Sequence, residues 1–317
     1  MSRPYDLITM GRVSVDLYPD DIGVPLPEVG RFRKFLGGSA TNVAVAAARH
    51  GRDAAVVTRT GADPFGEYIH QALRRFGVDD TFVRSVDGLP TPVVFCEVFP
   101  PDHFPLYFYR YPKAPDLEIH EHELDLDAIA RARIFWVTGT GLSEEPSRGS
   151  TLAALKARRR AAHTVLDLDY RPMFWPSEDT ARSVIGGAVE HATVAVGNLD
   201  ECEIAVGTRD PDRAAAALLE RGVRLAVVKQ GPAGVLARTR EEEVVVPPVE
   251  VEVVNGLGAG DAFGGALCHG LLEQWPLERV MRFANAAGAY VAARLACADA
   301  MPNEAEVDEL LAGGPHG

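Results

Sequence analysis

The sequence predicts an α/β fold built on a mostly parallel sheet. From about residue 125 to residue 230, segments of helical and strand character alternate strictly, which implies parallel strands joined by right-handed helical crossovers. The chain has 317 residues, 47% of them apolar, which is enough to bury the core of one large domain or two smaller ones. No internal repeat and no obvious linker divides it, which favours a single domain over residues 1–317.

The N-terminal third predicts strands that run into glycine-containing turns. Apolar strands are expected at 7–10, 32–36 and 54–58, and helices are expected to end near residues 50 and 77. Val13, Val15 and Leu17 alternate with polar residues, so Asp16 lies on the opposite face from them. Ligand crevices of open α/β sheets follow such strands, although a lone Asp is otherwise a common turn residue.

Residues 92–111 predict a β-hairpin that is rich in aromatic residues. Two β runs, 93–99 and 106–111, flank the turn sequence PPDHFP, and the second run carries Arg110. Such a hairpin could cover a substrate as a lid, or it could pack at the edge of the core.

The second half predicts four helix–strand units and an elaborate C-terminal region. The helices are expected at 126–132, 147–161, 179–190 and 211–221, and the strands at 134–138, 164–168, 193–196 and 225–228. Short β segments at 234–238 and 243–254 and three C-terminal helices follow.

Polar residues cluster after two of these strands. Asp169 and Arg171 follow one strand, and Asn198 and Glu201 follow the next. The carboxyl ends of parallel strands form the binding edge of such a sheet. Arg171, together with Arg110, could grip a carboxylate, and Glu201 could hold a hydrated magnesium ion. The structural alternatives are helix capping and surface salt bridges.

The stretch 251–272 predicts a strand, a glycine-rich turn and a helix. Glycines at 256, 258 and 260 permit close approach of a ligand, and the free N–H groups of a helix start make an anion site. Asp261 lies in the first helical turn, where the helix dipole favours its ionised form. An anion site beside a base suits phosphoryl transfer to a hydroxyl. The alternative is that Asp261 only caps the helix.

Composition excludes several classes of protein. A net charge of −13 argues against a nucleic-acid partner. No run of about 18 apolar residues and no secretory h-region occur, so neither membrane insertion nor secretion is expected. The four cysteines are widely spaced and form no CxxC pair, which is typical of reduced thiols in a cytoplasmic protein.

Five motifs occur in an order that resembles one known family. They are GGSATN at 37–42, GADPFG at 61–66, NLDE at 198–201, KQGPAG at 229–234 and GAGDAF at 258–263. Over nearly its whole length the chain resembles the ribokinase-like (PfkB) carbohydrate kinases. The resemblance implies a three-layer α/β/α fold with a small β lid, here expected within 12–36 and 90–114. It also implies ATP, Mg²⁺, γ-phosphoryl transfer to a sugar hydroxyl and a possible homodimer through the lid.

The resemblance assigns roles residue by residue. Asp261 matches the catalytic base, and Gly258, Ala259 and Gly260 match the anion hole. The matches for substrate are Asp16, Gly37, Gly38 and Asn42. Further substrate candidates, from the aromatic hairpin and from the strand end at 167–172, are Tyr109, Arg110, Asp169 and Arg171. The matches for nucleotide and magnesium are Asn198, Glu201, Lys229, Gly231, Gly234 and Asn285. The family usually carries Asp-Thr where this chain has VNGL at 254–257, which leaves a monovalent-cation site undecided.

Three segments indicate the substrate class. GRVSVDLYP at 11–19 and DLDYRPMFW at 167–175 are most similar to family members that phosphorylate 5-dehydro-2-deoxygluconate, and YFYR at 107–110 is similar to acid-sugar kinases generally. We therefore expect a kinase of a keto-deoxy sugar acid. 2-Keto-3-deoxygluconate and neutral sugars such as fructose or ribose remain alternatives, as does a non-catalytic sugar- or nucleotide-binding protein.

Overall fold

The computed structural model describes residues 4–313. Its strands are β1 (Leu7–Met10), β2 (Ser14–Pro19), β3 (Phe32–Gly37), β4 (Ala54–Gly61), β5 (Val78–Asp79), β6 (Val83–Val86), β7 (Val93–Cys96), β8 (Leu106–Tyr109), β9 (Ile134–Thr138), β10 (Thr164–Asp167), β11 (Val194–Asn198), β12 (Leu225–Lys229), β13 (Val235–Arg238) and β14 (Glu243–Val246). Its α-helices are α1 (Ser39–Arg49), α2 (Pro64–Arg75), α3 (Leu126–Arg131), α4 (Ser147–Ala157), α5 (Glu178–Val189), α6 (Leu199–Val206), α7 (Pro211–Glu220), α8 (Ala259–Leu272), α9 (Leu277–Ala292) and α10 (Glu304–Leu311).

A large sheet forms the middle layer, in the order β14-β13-β12-β11-β10-β9-β1-β4-β5, with β6 also paired to β4. The strands from β12 through β5 in this order pair in parallel, and β13 and β14 add an antiparallel edge. The central strands are short apolar runs, as expected for strands covered on both faces. The predicted parallel α/β fold is confirmed.

Helices cover both faces of this sheet. Trp136 of β9 faces one apolar core, which includes residues of α1, α2, α8 and α9. Its neighbours Phe135 and Val137 face a second core, which includes residues of α3 to α7. Successive strand residues point to opposite faces, so the two cores lie on either side of the sheet. The molecule therefore has the three layers that the family resemblance implies.

A second, small sheet is formed by four strands in the order β3-β2-β7-β8. β2 pairs antiparallel with β3 and parallel with β7, and β7 and β8 form the predicted antiparallel hairpin. The small sheet buries its own apolar cluster, with Tyr18 and Val94 packed near Leu257 and Cys297. It therefore packs against the loop that leads into α8. The extent of its movement as a lid stays a prediction.

Two local predictions were wrong, and one helix was not predicted. The strand expected at 243–254 ends at Val246, because Pro247 and Pro248 offer no N–H to a sheet. The helix expected to reach residue 161 ends at Ala157, and Arg159 and Arg160 adopt positive φ. The sequence analysis also missed α6, a helix of eight residues whose apolar pattern is too short to be distinctive.

Candidate active site

A cavity of about 490 Å³ lies between the binding edge of the large sheet and the small sheet. It brings together predicted site residues from six separate segments of the chain. Those that line it are Asp16, Gly38, Asn42, Asp169, Arg171, Asn198, Glu201, Lys229, Gly231, Gly258, Gly260 and Asp261. Of the rest, Ala259 begins α8 between two lining glycines, and Gly37 packs on Asp16. The predicted binding edge therefore coincides with this cavity.

The loop before α8 forms one wall. Gly258 precedes the helix with φ of 82°, and a Cβ there would lie 2.7 Å from Cys297 Sγ, so both backbone and space require glycine. The first N–H groups of a helix have no partner within it, and Gly260 and Asp261 of the first turn line the cavity. The loop therefore has the geometry of an anion site.

Asp261 lies in the first turn of α8, and its Oδ2 accepts a hydrogen bond from Asn42 Nδ2 at 2.8 Å. No side chain caps this helix, so Asp261 does not act as its cap. Burial raises the pKa of the Asp261 carboxyl, and the Asn42 hydrogen bond and the Arg12 guanidinium offset only part of that rise. The helix dipole, from which an ionised Asp261 was predicted, acts in the opposite direction. A raised pKa makes the carboxylate a stronger proton acceptor.

Asp16 lines the same cavity from β2. Ser14 Oγ donates to its Oδ1 at 2.7 Å. A Cβ on Gly37 would lie 2.1 Å from the Asp16 carboxyl carbon, so only glycine fits across this strand pair. Burial raises the pKa of Asp16 to about 6, although Ser14 and Arg12 act to lower it. Asp16 is therefore a buried hydrogen-bond acceptor in the cavity lining.

Asp169 lies between two arginines. Its backbone φ is 23°, in a region that residues other than glycine rarely adopt. Thr140 Oγ1 donates a hydrogen bond to its Oδ2 at 2.8 Å. Arg171 Nε is 3.3 Å from one carboxylate oxygen and Arg12 Nε is 3.8 Å from the other. Burial would raise the pKa of Asp169, but the two guanidinium groups hold it below the usual range.

Sequence reasoning missed Arg12. This residue follows β1 by two positions, is 7% exposed, and lies over the Phe108 ring at 5.8 Å. Its side chain donates no hydrogen bond to any residue within 4–313, and it lines the cavity. The signal was available, because a polar residue after a parallel strand is the same pattern that identified Asp169.

The structure does not bring Arg110 and Tyr109 to this cavity. Arg110 Nη2 donates to Asp116 Oδ2 at 2.8 Å, and the guanidinium lies 4.8 Å from the Phe174 ring centroid. Tyr109 is 62% exposed. Both residues line a second cavity, of about 550 Å³, on the far side of Phe108. Asp116 is only 2% exposed and needs a charged partner, which explains why Arg110 turns away.

The other end of the cavity carries Asn198 and Glu201. Asn198 Oδ1 accepts from the Glu201 backbone N–H at 2.9 Å, and Glu201 Oε2 accepts from the Asn198 backbone N–H at 2.7 Å. This reciprocal capping box fixes both side chains at the start of α6. Glu201 is 5% exposed and still lines the cavity, so its capping role does not remove it from the cavity wall.

Two predicted nucleotide residues lie outside the cavity lining. Gly234 has φ of 88° and turns the chain against the Val246 carbonyl. Asn285 Nδ2 donates to the Pro247 carbonyl at 2.7 Å. Asn255, in the segment that departs from the family pattern, is fully buried, and its Nδ2 donates to the Leu295 carbonyl at 2.6 Å. These contacts hold the loop that precedes α8.

Residues 5–304 match the pfkB family carbohydrate kinase, so the chain belongs to this family and is a carbohydrate kinase. Among curated relatives, the 5-dehydro-2-deoxygluconokinase of Geobacillus kaustophilus is 31% identical over 316 residues, with 98% of this chain and 94% of the relative covered. The protein of the same name from Listeria monocytogenes (strain F2365) is 30% identical, with 98% and 97% covered.

Solved structures agree on the fold. A fructokinase from Xylella fastidiosa with bound ATP has a TM-score of 0.84 and 25% identity, with 98% of this chain and 99% of that chain covered. The E. coli structure named for Ribokinase II, with ATP and Mg²⁺, has a TM-score of 0.88 at 21% identity, with 98% and 99% covered. Over residues 4–313, none of the helices has both the length and the apolar character needed to cross a membrane.

Proposed function

We propose that this protein transfers the γ-phosphoryl group of ATP to the primary hydroxyl of a keto-deoxy sugar acid, with 5-dehydro-2-deoxy-D-gluconate as the first candidate. The observation that carries the substrate class is the presence of two guanidinium groups, Arg12 and Arg171, in the cavity lining on either side of Asp169. A neutral sugar needs no such pair, whereas a carboxylate is bound well by paired arginine forks.

The state of Arg12 supports this proposal. A buried guanidinium without a hydrogen-bond partner is costly, because its desolvation is not compensated. Asp169, at 3.8 Å from Nε, is near enough for attraction but too far for a hydrogen bond. A ligand carboxylate in the cavity would complete the missing hydrogen bonds of Arg12 and of Arg171, whose Nε also makes none within residues 4–313.

The proposed reaction is an in-line displacement. Asp261 accepts the proton of the sugar hydroxyl, the hydroxyl oxygen forms a bond to the γ-phosphorus, and the bond from that phosphorus to the bridging oxygen of ADP breaks. Asn42 holds the Asp261 carboxylate by its 2.8 Å hydrogen bond. The amides of the loop at Gly258, Ala259 and Gly260 face the charge that develops on the transferring group.

The donor set of the cavity fits Mg²⁺. Asp16, Asp167, Asp169, Glu201 and Asp261 outnumber the cations Arg12, Arg171 and Lys229 by two. Among residues 4–313 there is no cluster of three or more metal-ligating side chains. Mg²⁺ is commonly bound by one or two carboxylates together with substrate phosphates. Glu201 and Asn198 would hold the ion through water or phosphate. When bound, Mg²⁺ would neutralise charge on the phosphates.

Other functions remain as outcomes of the test. Curated relatives are named for 5-dehydro-2-deoxygluconate, but the structural neighbours include fructokinases, so a neutral-sugar kinase is the enzyme alternative. 2-Keto-3-deoxygluconate would use the same arginines. A binding protein that does not catalyse would have no need for a buried base such as Asp261. A monovalent cation, a cytoplasmic location and a homodimer through the small sheet stay predictions.

The test is a substrate panel with ATP and Mg²⁺. We expect the highest kcat/KM with 5-dehydro-2-deoxygluconate, a lower value with 2-keto-3-deoxygluconate, and much lower values with fructose and ribose. Arg171→Ala should lower kcat/KM for the sugar acid and change that for a neutral sugar little. A preference for fructose or ribose would contradict the sugar-acid proposal, and absence of ADP formation with every sugar would contradict a kinase.

A further inference from the structure

Lys229 packs against the glycine-rich segment at the start of α8. It is the last residue of β12, where the strand reaches the cavity. A Cβ placed on Gly260 would lie 3.4 Å from Lys229 Nζ, so the ammonium group packs directly on the first turn of α8. The strand pairing fixes this position, because Lys229 is in register with Asn198 of β11 on one side and Val235 of β13 on the other.

The ammonium group has no direct partner in the part of the chain that the structure describes. Each of the other two cations in the cavity, Arg12 and Arg171, has a carboxylate oxygen within 4.0 Å, but Lys229 has none there and donates no hydrogen bond. Burial acts to lower the pKa of Lys229, yet Glu201 and Asp167, followed by Asp261 and Asp169, raise it overall. Lys229 is therefore a charged, largely enclosed donor without an acceptor.

The start of α8 acts against a positive charge on Lys229, whereas the surrounding carboxylates favour it. The N-terminus of a helix carries partial positive charge, which repels a cation and attracts an anion. Lys229 lies at the N-terminus of α8, whose first turn also lines the cavity. A phosphoryl group between the amides and the ammonium would satisfy both sets of donors. No protein anion occupies that place within 4.0 Å of the ammonium in residues 4–313.

We propose that Lys229 is a catalytic residue that donates a hydrogen bond to the transferring phosphoryl group, opposite the amides of the loop at Gly258 to Gly260. This inference rests on the proposed function and deepens it, because a residue that only touched the nucleotide would bind ATP and ADP alike. As the sugar oxygen bonds to phosphorus and the bond to ADP breaks, the ammonium keeps its own proton, and the hydroxyl proton goes to Asp261. The charge of Lys229 stabilises the oxygens of the group in transfer.

The experiment compares Lys229→Met with the matched surface variant Lys156→Met, since Lys156 is exposed on α4. Loss of one donor to a transition-state anion typically costs about 10²–10³-fold in kcat. We expect such a loss in K229M, with KM for ATP and the affinity for ADP changed by less than about threefold, and no change in K156M. Near-full kcat in K229M, or a loss confined to ATP affinity, would overturn the proposal.

A second variant controls for misfolding. Lys229→Cys can be alkylated with bromoethylamine, which restores an ammonium group on a side chain of nearly lysine length. The four native cysteines are buried, and wild-type protein treated identically shows any effect of their modification. We expect K229C to be slow and to regain most of its kcat after alkylation. Complete alkylation by mass spectrometry without any recovery would contradict the role of the ammonium.

A binding measurement separates this proposal from the proposed function. Fluoroaluminate with ADP and Mg²⁺ mimics the transferring phosphoryl group and needs no turnover. Wild type should bind ADP much more tightly in its presence, and K229M should lose most of that gain. If no sugar is phosphorylated but this difference persists, the proposed function fails and Lys229 keeps its role. If the sugar acid is phosphorylated and K229M binds the mimic as tightly as wild type, only the Lys229 proposal fails.

Discussion

The two ends of the cavity are built in different ways. At the phosphoryl end, a glycine loop and two helix starts present backbone amides, and the side chains that matter lie next to those turns, as with Asp261 after Gly260 and Glu201 after Asn198. At the sugar end, side chains from distant segments meet, as with Arg12 and Asp169, which are brought together only by the sheet. Local chain geometry therefore determines the first end, and tertiary pairing determines the second.

The largest expected effect comes from the phosphoryl end. Asp261→Asn keeps an acceptor for Asn42 but removes the base, so kcat should fall by about 10²–10⁴-fold. KM values should change little. The free energy of unfolding should stay the same or increase, because burial raises the pKa of this carboxyl. The measurement is ADP release with the preferred sugar, with thermal unfolding as the control. Near-wild-type kcat in D261N would remove Asp261 from the mechanism.

A crossed pair of variants tests the sugar end. Arg12→Met should lower kcat/KM for the sugar acid by about 10–150-fold, the value of a charge-assisted hydrogen bond of about 1.5–3 kcal/mol. It should lower stability only slightly, because Asp169 keeps Arg171 as a charged partner. Arg110→Met should do the reverse, because Asp116 would lose its 2.8 Å partner while 2% exposed. A destabilisation of about 3–5 kcal/mol is expected there, with kcat/KM largely kept.

Steady-state kinetics on the sugar acid give kcat/KM for both variants, and chemical unfolding gives the free energy of unfolding for both. The opposite pattern, with R110M catalytically impaired and R12M only less stable, would return the substrate role to the residue that the sequence first suggested.

The residues of the proposed phosphoryl end could be picked out from the sequence for a physical reason. A glycine at positive φ before a helix, as at Gly258, is determined by a few adjacent residues. The capping box of Asn198 and Glu201 is equally local in sequence. The parallel sheet was also predictable, since each of its central strands is a short apolar run between helices. Arg110 was misplaced because the sequence does not reveal that the buried Asp116 binds it. Arg12, in contrast, follows β1 by two residues and could have been found by the pattern that identified Asp169.

Asp16 links the sugar end to stability. A carboxyl whose pKa is raised by folding, here to about 6, contributes stability that is present below the unfolded-state pKa and is lost as pH rises through the folded-state pKa. Asp16→Asn should therefore be more stable than wild type by about 2–3 kcal/mol at pH 8, with the difference shrinking towards pH 4. Its kcat/KM should fall, because an amide binds the sugar hydroxyl less well.

Urea unfolding at several pH values gives this difference, and the exposed Asp21→Asn serves as the matched control, with little change expected at either pH. A stability gain in D16N that is independent of pH would show that the buried charge of Asp16 is not its cause.

The smallest expected effect is at Glu201, where two variants separate the helix-capping role of the side chain from its proposed role in Mg²⁺ binding. Glu201→Gln keeps an oxygen for the Asn198 N–H, and glutamine is accepted in a capping box, so the stability of E201Q should remain near that of wild type. Glu201→Ala loses the cap and should cost about 1 kcal/mol. Both remove the charge, so both should raise the Mg²⁺ concentration for half-maximal activity by about tenfold. Titrating Mg²⁺ at fixed ATP measures this, and an unchanged Mg²⁺ requirement in E201Q, beside a less stable E201A, would reduce Glu201 to its capping role.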